Sequence, residues 1–442
     1  MPAGATFYRM DLHAEATDVL SQLIRFDTVN PPGNERACQE WLKGYLEEAG
    51  LECELLCASD PERPNLIARL RGDAEGPVLG YLSHVDTVLA DAADWRYDPW
   101  SGDVHDGALW GRGAVDMKSQ TAAEAVAAAH LARQGWRPPR GELKLISVVD
   151  EETGGGLGAQ WLTEQRPDAA RVDFLLNEGG GAVMPYGERR LYGVCCAEKG
   201  TFRFRVRARG RAGHASVPAL ADNALLKLLP ALERIGRGRA AYDVVDEPRA
   251  FLEAIGEDPA DPSGAVERIR AAEPRLAALL EPTLGATFAP TLISAGQKIN
   301  VIPARAEFSV DCRMPPGLDG DLAERRAREL LGDTNGLELE LTEAVVGNRS
   351  PVASPLMDAI AEWVGEVDPA GEAVPVVLPA FTDSRWFRAA FPDCVAYGFF
   401  PQRHQTLYES WPLMHSADER LDVRDIGFAT EFFTDLPRRL LT

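Results

Sequence analysis

Acidic residues and a histidine stand directly after three predicted strands. The apolar runs 77–83, 143–149 and 172–176 predict these strands. The polar residues that follow them are, in order, His84 and Asp86, then Asp150, Glu151 and Glu152, then Glu178. In an open α/β sheet the carboxyl ends of the strands form the ligand crevice. We therefore expect these side chains to share one site.

Histidine and carboxylate side chains together suit metal-assisted hydrolysis. His84 and Asp86 share a strand face, so Asp86 can accept a hydrogen bond from the second ring nitrogen of a metal-bound His84. An ordinary histidine–carboxylate pair is the alternative. In the run Asp150–Glu152, three adjacent carboxylates repel one another unless cations or water compensate them. One could bind a metal ion while its neighbour takes a proton from bound water.

Two further candidates lie far apart in the chain. Asp116 stands at the start of a helix predicted over 117–134, where a plain N-cap is the alternative. His415 opens the segment HSADER. A competing pattern, glycines at 154 and 156 followed by Ala159, is typical of a dinucleotide-binding loop. Its distance from the preceding strand and the three nearby acids count against that interpretation.

The wider pattern predicts two domains. Helices (35–49, 117–134) alternate with strands in the first half, which favours an α/β catalytic domain whose mixed sheet has helices on both faces. Strict alternation over 202–207 and 306–312 indicates antiparallel strands instead. We predict a catalytic domain over 1–197 and 315–442, and an inserted α+β domain over 198–314.

Composition narrows the function classes. A net charge of −22 disfavours nucleic acid and anionic membrane surfaces as partners. The sequence has neither a membrane-length apolar run nor a signal-peptide pattern, and its seven cysteines show no CxxC pairing. We expect a cytoplasmic protein that acts on a small molecule.

Seven segments carry a family resemblance. They are, in order, SHVDTV, GRGAVDMK, VVDEETGG, NEGG, GHASVP, INVIPARAEFSVDCR and HSADER. Together they resemble the M20 metallopeptidases, a family that includes glutamate carboxypeptidase, aminoacylases and succinyl-diaminopimelate desuccinylase. The resemblance covers nearly the whole chain.

The resemblance implies a centre with two zinc ions, for which cobalt or manganese are candidate substitutes. Asp116 would bridge the ions, His84 and Glu178 would complete one site, and Glu152 and His415 the other. Glu151 would be the general base, with Asp86 behind His84.

The resemblance also implies that the inserted α+β domain over 198–314 is a lid that mediates dimerisation and contacts the substrate. His214 would help to hold the oxyanion, in related dimers across the subunit interface. Asn300 and Arg313 would face the substrate, with Arg313 binding its carboxylate in a bidentate pair. A salt bridge between Arg313 and Asp311, on the same strand face, is the alternative.

The sequence departs from the family in two places. Glu178 stands where many members have aspartate, which favours a deacylase, and the segment 379–385 lacks a usual glycine pair. The expected reaction is hydrolysis of an amide in an N-acyl amino acid or small peptide with a free carboxylate. A dipeptidase or carboxypeptidase is the first alternative, and a non-catalytic binding protein of the same fold is the second.

Overall fold

In the computed structural model, which describes residues 3–332 and 336–442, the three strands predicted in the first half lie side by side in one sheet. The chain forms two compact units. The first is Met1–Cys196 with Ser350–Val376 and Thr382–Thr442, and the second is Ala197–Arg349 with Val377–Phe381. Among the described residues no helix is both long and apolar enough to span a membrane.

The strands and helices are numbered in chain order. The strands are β1 (Glu52–Cys57), β2 (Pro64–Arg71), β3 (Val78–His84), β4 (Val104–His105), β5 (Ala108–Trp110), β6 (Glu142–Val148), β7 (Phe174–Asn177), β8 (Val183–Tyr186), β9 (Arg189–Glu198), β10 (Gly200–Arg209), β11 (Gly213–His214), β12 (Thr287–Ala295), β13 (Val301–Ile302), β14 (Arg305–Met314), β15 (Leu337–Val345), β16 (Gly371–Leu378), β17 (Val395–Gly398) and β18 (Arg420–Asp422). The helices are α1 (Ala3–Ile24), α2 (Arg36–Glu48), α3 (Lys118–Arg133), α4 (Ala159–Gln165), α5 (Pro167–Ala170), α6 (Ala224–Arg237), α7 (Asp246–Ala254), α8 (Pro262–Ala272), α9 (Pro274–Leu280), α10 (Gly320–Leu331), α11 (Pro355–Val367), α12 (Ser384–Ala390), α13 (Leu407–Ser410) and α14 (Val423–Leu440).

The large sheet of the first unit is mixed. Its strand order is β1-β2-β6-β3-β7-β17-β9-β16, with β8 beside β9. The central strand β3 pairs in parallel with both β6 and β7, whereas β1 and β2 pair antiparallel. The carboxyl ends of β3, β6 and β7 therefore meet at one edge of the sheet, as expected for an α/β fold.

Helices cover both faces of this sheet, as the sequence predicted. Tyr81 and Leu145 belong to a buried cluster with residues of α1, α3 and α14. Their neighbours Leu82 and Ile146 belong to a second cluster with residues of α4, α5 and α12. Successive side chains of a strand point to opposite faces, so both faces are buried. Each fully buried aliphatic side chain of this kind contributes roughly 1.5–3 kcal/mol.

The second unit contains a four-stranded sheet in the order β12-β14-β10-β15. In β10, Phe202 and Phe204 are buried with residues of α6 and α10, while Arg203 and Arg205 lie on the opposite, more exposed face. This alternation explains why the sequence predicted antiparallel strands here.

This unit ends at Arg349 with a short return at Val377–Phe381, rather than at the predicted 314. The reason is that β15 pairs with β10 over most of its length. In addition, α10 contributes Ala323, Ala327 and Leu331 to the core that contains Phe202. The predicted boundary falls at the segment Met314-Pro315-Pro316-Gly317, which is therefore a turn inside the unit.

Candidate metal centre and active site

Six side chains at the carboxyl edge of the large sheet form two candidate metal-binding groups. His84 is the last residue of β3, Glu178 follows β7, and a 3₁₀ turn (Glu151–Thr153) follows β6. The two groups are His84, Glu151 and Glu178, and Asp116, Glu152 and His415. Within each group the possible ligand atoms all lie within 4.8 Å of one another.

Asp116 lies between the two histidines. Its Oδ1 is 3.3 Å from Nε2 of His84 and its Oδ2 is 3.1 Å from Nε2 of His415. Burial raises the pKa of Asp116, but the hydrogen bond from His415 and the nearby charge of His84 outweigh it and hold this pKa below its ordinary value. The two oxygens of one carboxylate can thus serve both groups.

The N-cap interpretation of Asp116 is wrong. The residue in the N-cap position of α3 is Met117, whose side chain makes no capping hydrogen bond. The carboxylate is directed to the histidines instead of to the free N–H groups of the helix.

The partner of the second ring nitrogen of His84 differs from the expected one. Nδ1 is 2.9 Å from the main-chain oxygen of Asp86 and 3.6 Å from its carboxylate. Because a carbonyl oxygen only accepts, this contact places a proton on Nδ1 and leaves the lone pair of Nε2 for a metal ion. Nε2 is itself buried and has no hydrogen-bond partner among the described residues. Burial lowers the pKa of His84, but Asp116 and Glu178 outweigh it and raise the pKa well above its ordinary value.

The carboxylate of Asp86 binds the turn that carries the two glutamates. It accepts the main-chain N–H groups of Glu151 at 3.3 Å and Glu152 at 3.2 Å. It also accepts a hydrogen bond from Nδ2 of Asn30 at 2.9 Å. Asp86 therefore orients this turn as well as lying next to His84.

Glu151 and Glu178 lie in a strongly negative environment. Burial, and then the charge of Glu178, raise the pKa of Glu151 well above its ordinary value. Burial and the charge of Asp116 do the same to the pKa of Glu178. A divalent cation is the usual compensation for carboxylates that are crowded in this way.

His415 is the exposed residue of the two metal-binding groups. Its side chain is 54% exposed, its backbone is left-handed (φ 57°), and its Nε2 lies 3.3 Å from Oε2 of Glu152. Hydrogen bonds to Asp116 and Glu152 raise the pKa of His415 to about 10. The exposed ring leaves room for a substrate to approach.

Glu419 is a residue of the centre that the sequence did not identify. Its buried carboxylate accepts a hydrogen bond from Arg112 at 2.7 Å and the main-chain N–H groups of Gly113, Val115 and Asp116. It thereby joins the segment of Asp116 to that of His415. The only sequence signal was its position four residues after His415, where an acid is equally typical of a surface.

The glycines after the acidic turn do not form a phosphate-binding loop. The N–H of Gly155 donates to the main-chain oxygen of Asp150 at 2.6 Å, and that of Leu157 to its carboxylate at 3.0 Å. Glu178, the acid that would bind a ribose in the dinucleotide hypothesis, belongs to a metal-binding group. That hypothesis is therefore wrong.

Two predicted substrate contacts are neighbours in the second unit. His214 in β11 pairs with Val301 of β13, and the N–H of Ala215 donates to the main-chain oxygen of Asn300 at 3.0 Å. His214 is exposed, with Nδ1 2.7 Å from the hydroxyl of Ser216.

Arg313 forms the salt bridge that was the alternative in the sequence analysis. Its Nε donates to Oδ1 of Asp311 at 2.8 Å and its Nη2 to Oδ2 at 3.4 Å. The guanidinium also lies 5.8 Å from the ring centre of Phe381. A role for Arg313 in binding a substrate carboxylate stays a prediction.

Comparisons with known proteins agree with the geometry. The model of peptidase family M20/M25/M40 matches residues 80–439. Succinyl-diaminopimelate desuccinylase 2 of a Ruegeria species is 30% identical over 52% of this chain and 55% of the relative. Succinyl-diaminopimelate desuccinylase of Cereibacter sphaeroides is 27% identical over 92% of this chain and 93% of the relative.

A solved structure shares the whole fold. The M20 family metallo-carboxypeptidase Sso-CP2 of Sulfolobus solfataricus superposes with a TM-score of 0.70 and 17% identity, covering 97% of this chain and 99% of that chain. The family match spans the segments that supply all six side chains of the two groups. The chain is therefore a metal-dependent hydrolase that belongs to peptidase family M20/M25/M40.

Proposed function

We propose that this hydrolase holds two zinc ions and cleaves the amide bond of an N-acyl amino acid that carries a free carboxylate. The observation that carries the proposal is the position of Asp116, whose two oxygens lie 3.3 Å and 3.1 Å from the Nε2 atoms of two histidines. One carboxylate that serves two groups of ligands suits a pair of ions.

The side chains fit the metal. His84 and Glu178 would hold one ion, Glu152 and His415 the other, and Asp116 both. Two features support this ligand set: the buried Nε2 of His84, which has no hydrogen-bond partner among the described residues, and the imidazole and carboxylate donors that zinc accepts. When bound, zinc would polarise the amide carbonyl and lower the pKa of water.

Glu151 is the proposed general base. It would take a proton from the attacking water and later give it to the departing amine nitrogen, so that one proton is moved and none is lost. Its Oε2 is 4.0 Å from Nε2 of His84, farther than the 3.3 Å that separates Oδ1 of Asp116 from the same atom. Because Glu151 also belongs to a metal-binding group, its role needs a direct test.

The deacylase type is favoured over the peptidase type. Both relatives described above are named succinyl-diaminopimelate desuccinylases, whereas the solved structure is a carboxypeptidase that supports the alternative. The test is a panel of N-succinyl and N-acetyl amino acids and unblocked dipeptides, assayed with zinc, cobalt and manganese. Faster turnover of the dipeptides would favour the alternative.

We also propose a homodimer formed through the second unit. The edge strand β12 exposes Leu292 by 70% and Ile293 by 56%, and α6 exposes Leu226 by 62%. An edge strand with exposed apolar side chains is a ready surface for pairing with a second copy. Light scattering should give twice the chain mass, and Leu226→Glu with Leu292→Glu should give the monomer.

The cytoplasm is the proposed location. Cys38, Cys53, Cys57, Cys312 and Cys394 form no disulfide bond in the structure, which suits a reducing compartment. Fractionation of cells that express the native chain would test this location.

A further inference from the structure

Asp150, the first acid of the run Asp150–Glu152, takes part in neither metal-binding group. Its Oδ1 accepts hydrogen bonds from Thr153 at 2.6 Å, from Nη1 of Arg63 at 3.0 Å and from Nδ2 of Asn30 at 3.2 Å. Its charge is thus compensated by an arginine, while those of Glu151 and Glu152 face the proposed metal ions.

Arg63 is held from its other side by a second buried acid. Nε and Nη2 donate to Glu35 at distances from 2.7 to 3.2 Å, and Glu35 has no exposed surface. Gly33, at φ +84°, packs against the guanidinium so closely that an added Cβ would lie 2.3 Å from Nε. These contacts hold the guanidinium of Arg63 in one position, and the residue is only 6% exposed.

The backbone conformation of Asp150 links its contact with Arg63 to the positions of Glu151 and Glu152. Asp150 is left-handed, with φ 74°, a conformation that residues other than glycine rarely adopt. Directly after this residue the side chains diverge. Oε2 of Glu151 lies 4.0 Å from His84, whereas Oε2 of Glu152 lies 3.3 Å from His415. The conformation of Asp150 therefore decides which group each glutamate reaches.

We propose that Arg63 is a positioning residue for the metal centre: by binding the carboxylate of Asp150, it fixes the turn that directs Glu151 and Glu152 to different groups of the site, Glu151 as the base and Glu152 as a ligand. Asn30 connects this contact to the rest of the site, because its Nδ2 donates to both Asp150 and Asp86. Asp86 in turn accepts the N–H groups of the two glutamates. This inference rests on the proposed two-zinc function.

The test compares Arg63→Met and Arg63→Lys with Arg388→Met. Arg388 is a matched control because it is 7% exposed and donates to the main-chain oxygen of Ala396 at 2.7 Å. Zinc affinity is measured by competition with a chromogenic chelator, folding by the Tm of metal-stripped protein, and kcat and KM with an N-acyl amino acid that the wild type hydrolyses.

We expect Arg63→Met to weaken zinc binding and lower kcat by about 10- to 100-fold each, the usual cost of losing a group that orients metal ligands. KM should change less than kcat, because the substrate contacts are untouched. Arg63→Lys should fall between wild type and Arg63→Met, because a lysine presents one point charge and cannot bind Glu35 and Asp150 together. Arg388→Met should lower Tm without changing zinc affinity.

Wild-type zinc affinity and kcat in Arg63→Met, with a lower Tm like that of the control, would overturn the proposal and leave Arg63 a purely structural role. If Arg63→Met does not fold, Arg63→Lys decides, and unchanged affinity and kcat in that variant overturn the proposal. A wild-type chain that binds no zinc would instead overturn the proposed function, and this inference with it.

Discussion

The carboxylate of Glu419 accepts the main-chain N–H of Asp116 at 3.0 Å. The same carboxylate binds Arg112, whose residue surface is only 3% exposed. A buried acid outside the proposed ligand set therefore fixes the backbone of the residue that faces both histidines.

Glu419→Gln should loosen the segment of Asp116, because a glutamine has one acceptor oxygen where the glutamate has two. We expect zinc affinity to fall by about 10- to 100-fold. The free energy of unfolding should fall by about 3–5 kcal/mol, since the charge of Arg112 stays buried without its partner. Chelator competition and chemical denaturation measure the two effects.

Glu431→Gln is the control for this variant, because Glu431 binds His13 at 2.8 Å, on α14. It should keep the zinc affinity of the wild type. Equal losses of affinity in the two variants would show that Glu419 has no specific link to the metal centre.

Glu151→Gln should abolish turnover while the zinc content stays near two per chain, because the base is proposed not to be a ligand. General-base catalysis contributes about 10²–10⁴-fold, which sets the expected loss of kcat. By contrast, His84→Ala and His415→Ala should lower the zinc content. Elemental analysis of dialysed protein measures the zinc content of each variant. Loss of an ion from Glu151→Gln would show that Glu151 is a ligand.

Mixing two inactive variants tests whether His214 acts in the partner's site. If it does, Glu151→Gln and His214→Ala chains should form heterodimers in which one of the two sites has both residues. Activity should return after subunit exchange, whereas either variant alone stays inactive. No recovery, with exchange confirmed by mass spectrometry, would place His214 in its own chain's site or outside catalysis.

Glu124 should make stability depend on pH. This residue of α3 is 1% exposed, and burial raises its pKa from 4.5 to about 8, against hydrogen bonds from Gln120 and Ser83. Between these two values the folded state holds a proton that the unfolded state releases. The free energy of unfolding therefore falls as pH rises, by up to roughly 1.4 kcal/mol per pH unit.

Glu124→Gln removes this titration while it keeps the shape of the side chain. Denaturation at pH 5, 6, 7 and 8 should show the variant gaining stability relative to wild type as pH rises. Parallel curves for the two proteins would show that Glu124 does not titrate in this range.

The sequence predicted the elements that carry strong periodicity and missed those that depend on tertiary contacts. The runs before His84, Glu151 and Glu178 are continuous and apolar because both faces of β3, β6 and β7 are buried. By contrast β15, whose Leu and Glu residues alternate, was missed because the inserted domain was predicted to end at residue 314.

The residues that orient the site carried no local signal. Arg63 lies in no segment of the family resemblance, and its importance comes from contacts with Glu35 and Asp150, which are distant in the chain. The spacing of His84 and Asp86 correctly put them close together. It could not show that the imidazole contacts the carbonyl of Asp86 rather than its carboxylate.

Arg313 is the residue predicted to bind the carboxylate of the substrate. In the structure its guanidinium is bound to Asp311, so a substrate would have to compete with that pair. If Arg313 binds the carboxylate, its planar group supplies two parallel bonds that a lysine cannot reproduce. Arg313→Lys should then lower kcat/KM by an amount on the order of 10-fold to several hundred-fold, with zinc content unchanged.

A substrate with an amidated carboxylate makes this test specific. The wild type should hydrolyse it poorly, and Arg313→Lys should cause little further loss, because the group that Arg313 binds is already absent. Asp311→Asn is the matched control: it frees Arg313 from its partner without removing the guanidinium, so kcat/KM for the acid substrate should not fall. Equal losses with acid and amide substrates in Arg313→Lys would mean that Arg313 stabilises the second unit through Asp311 and does not bind the substrate.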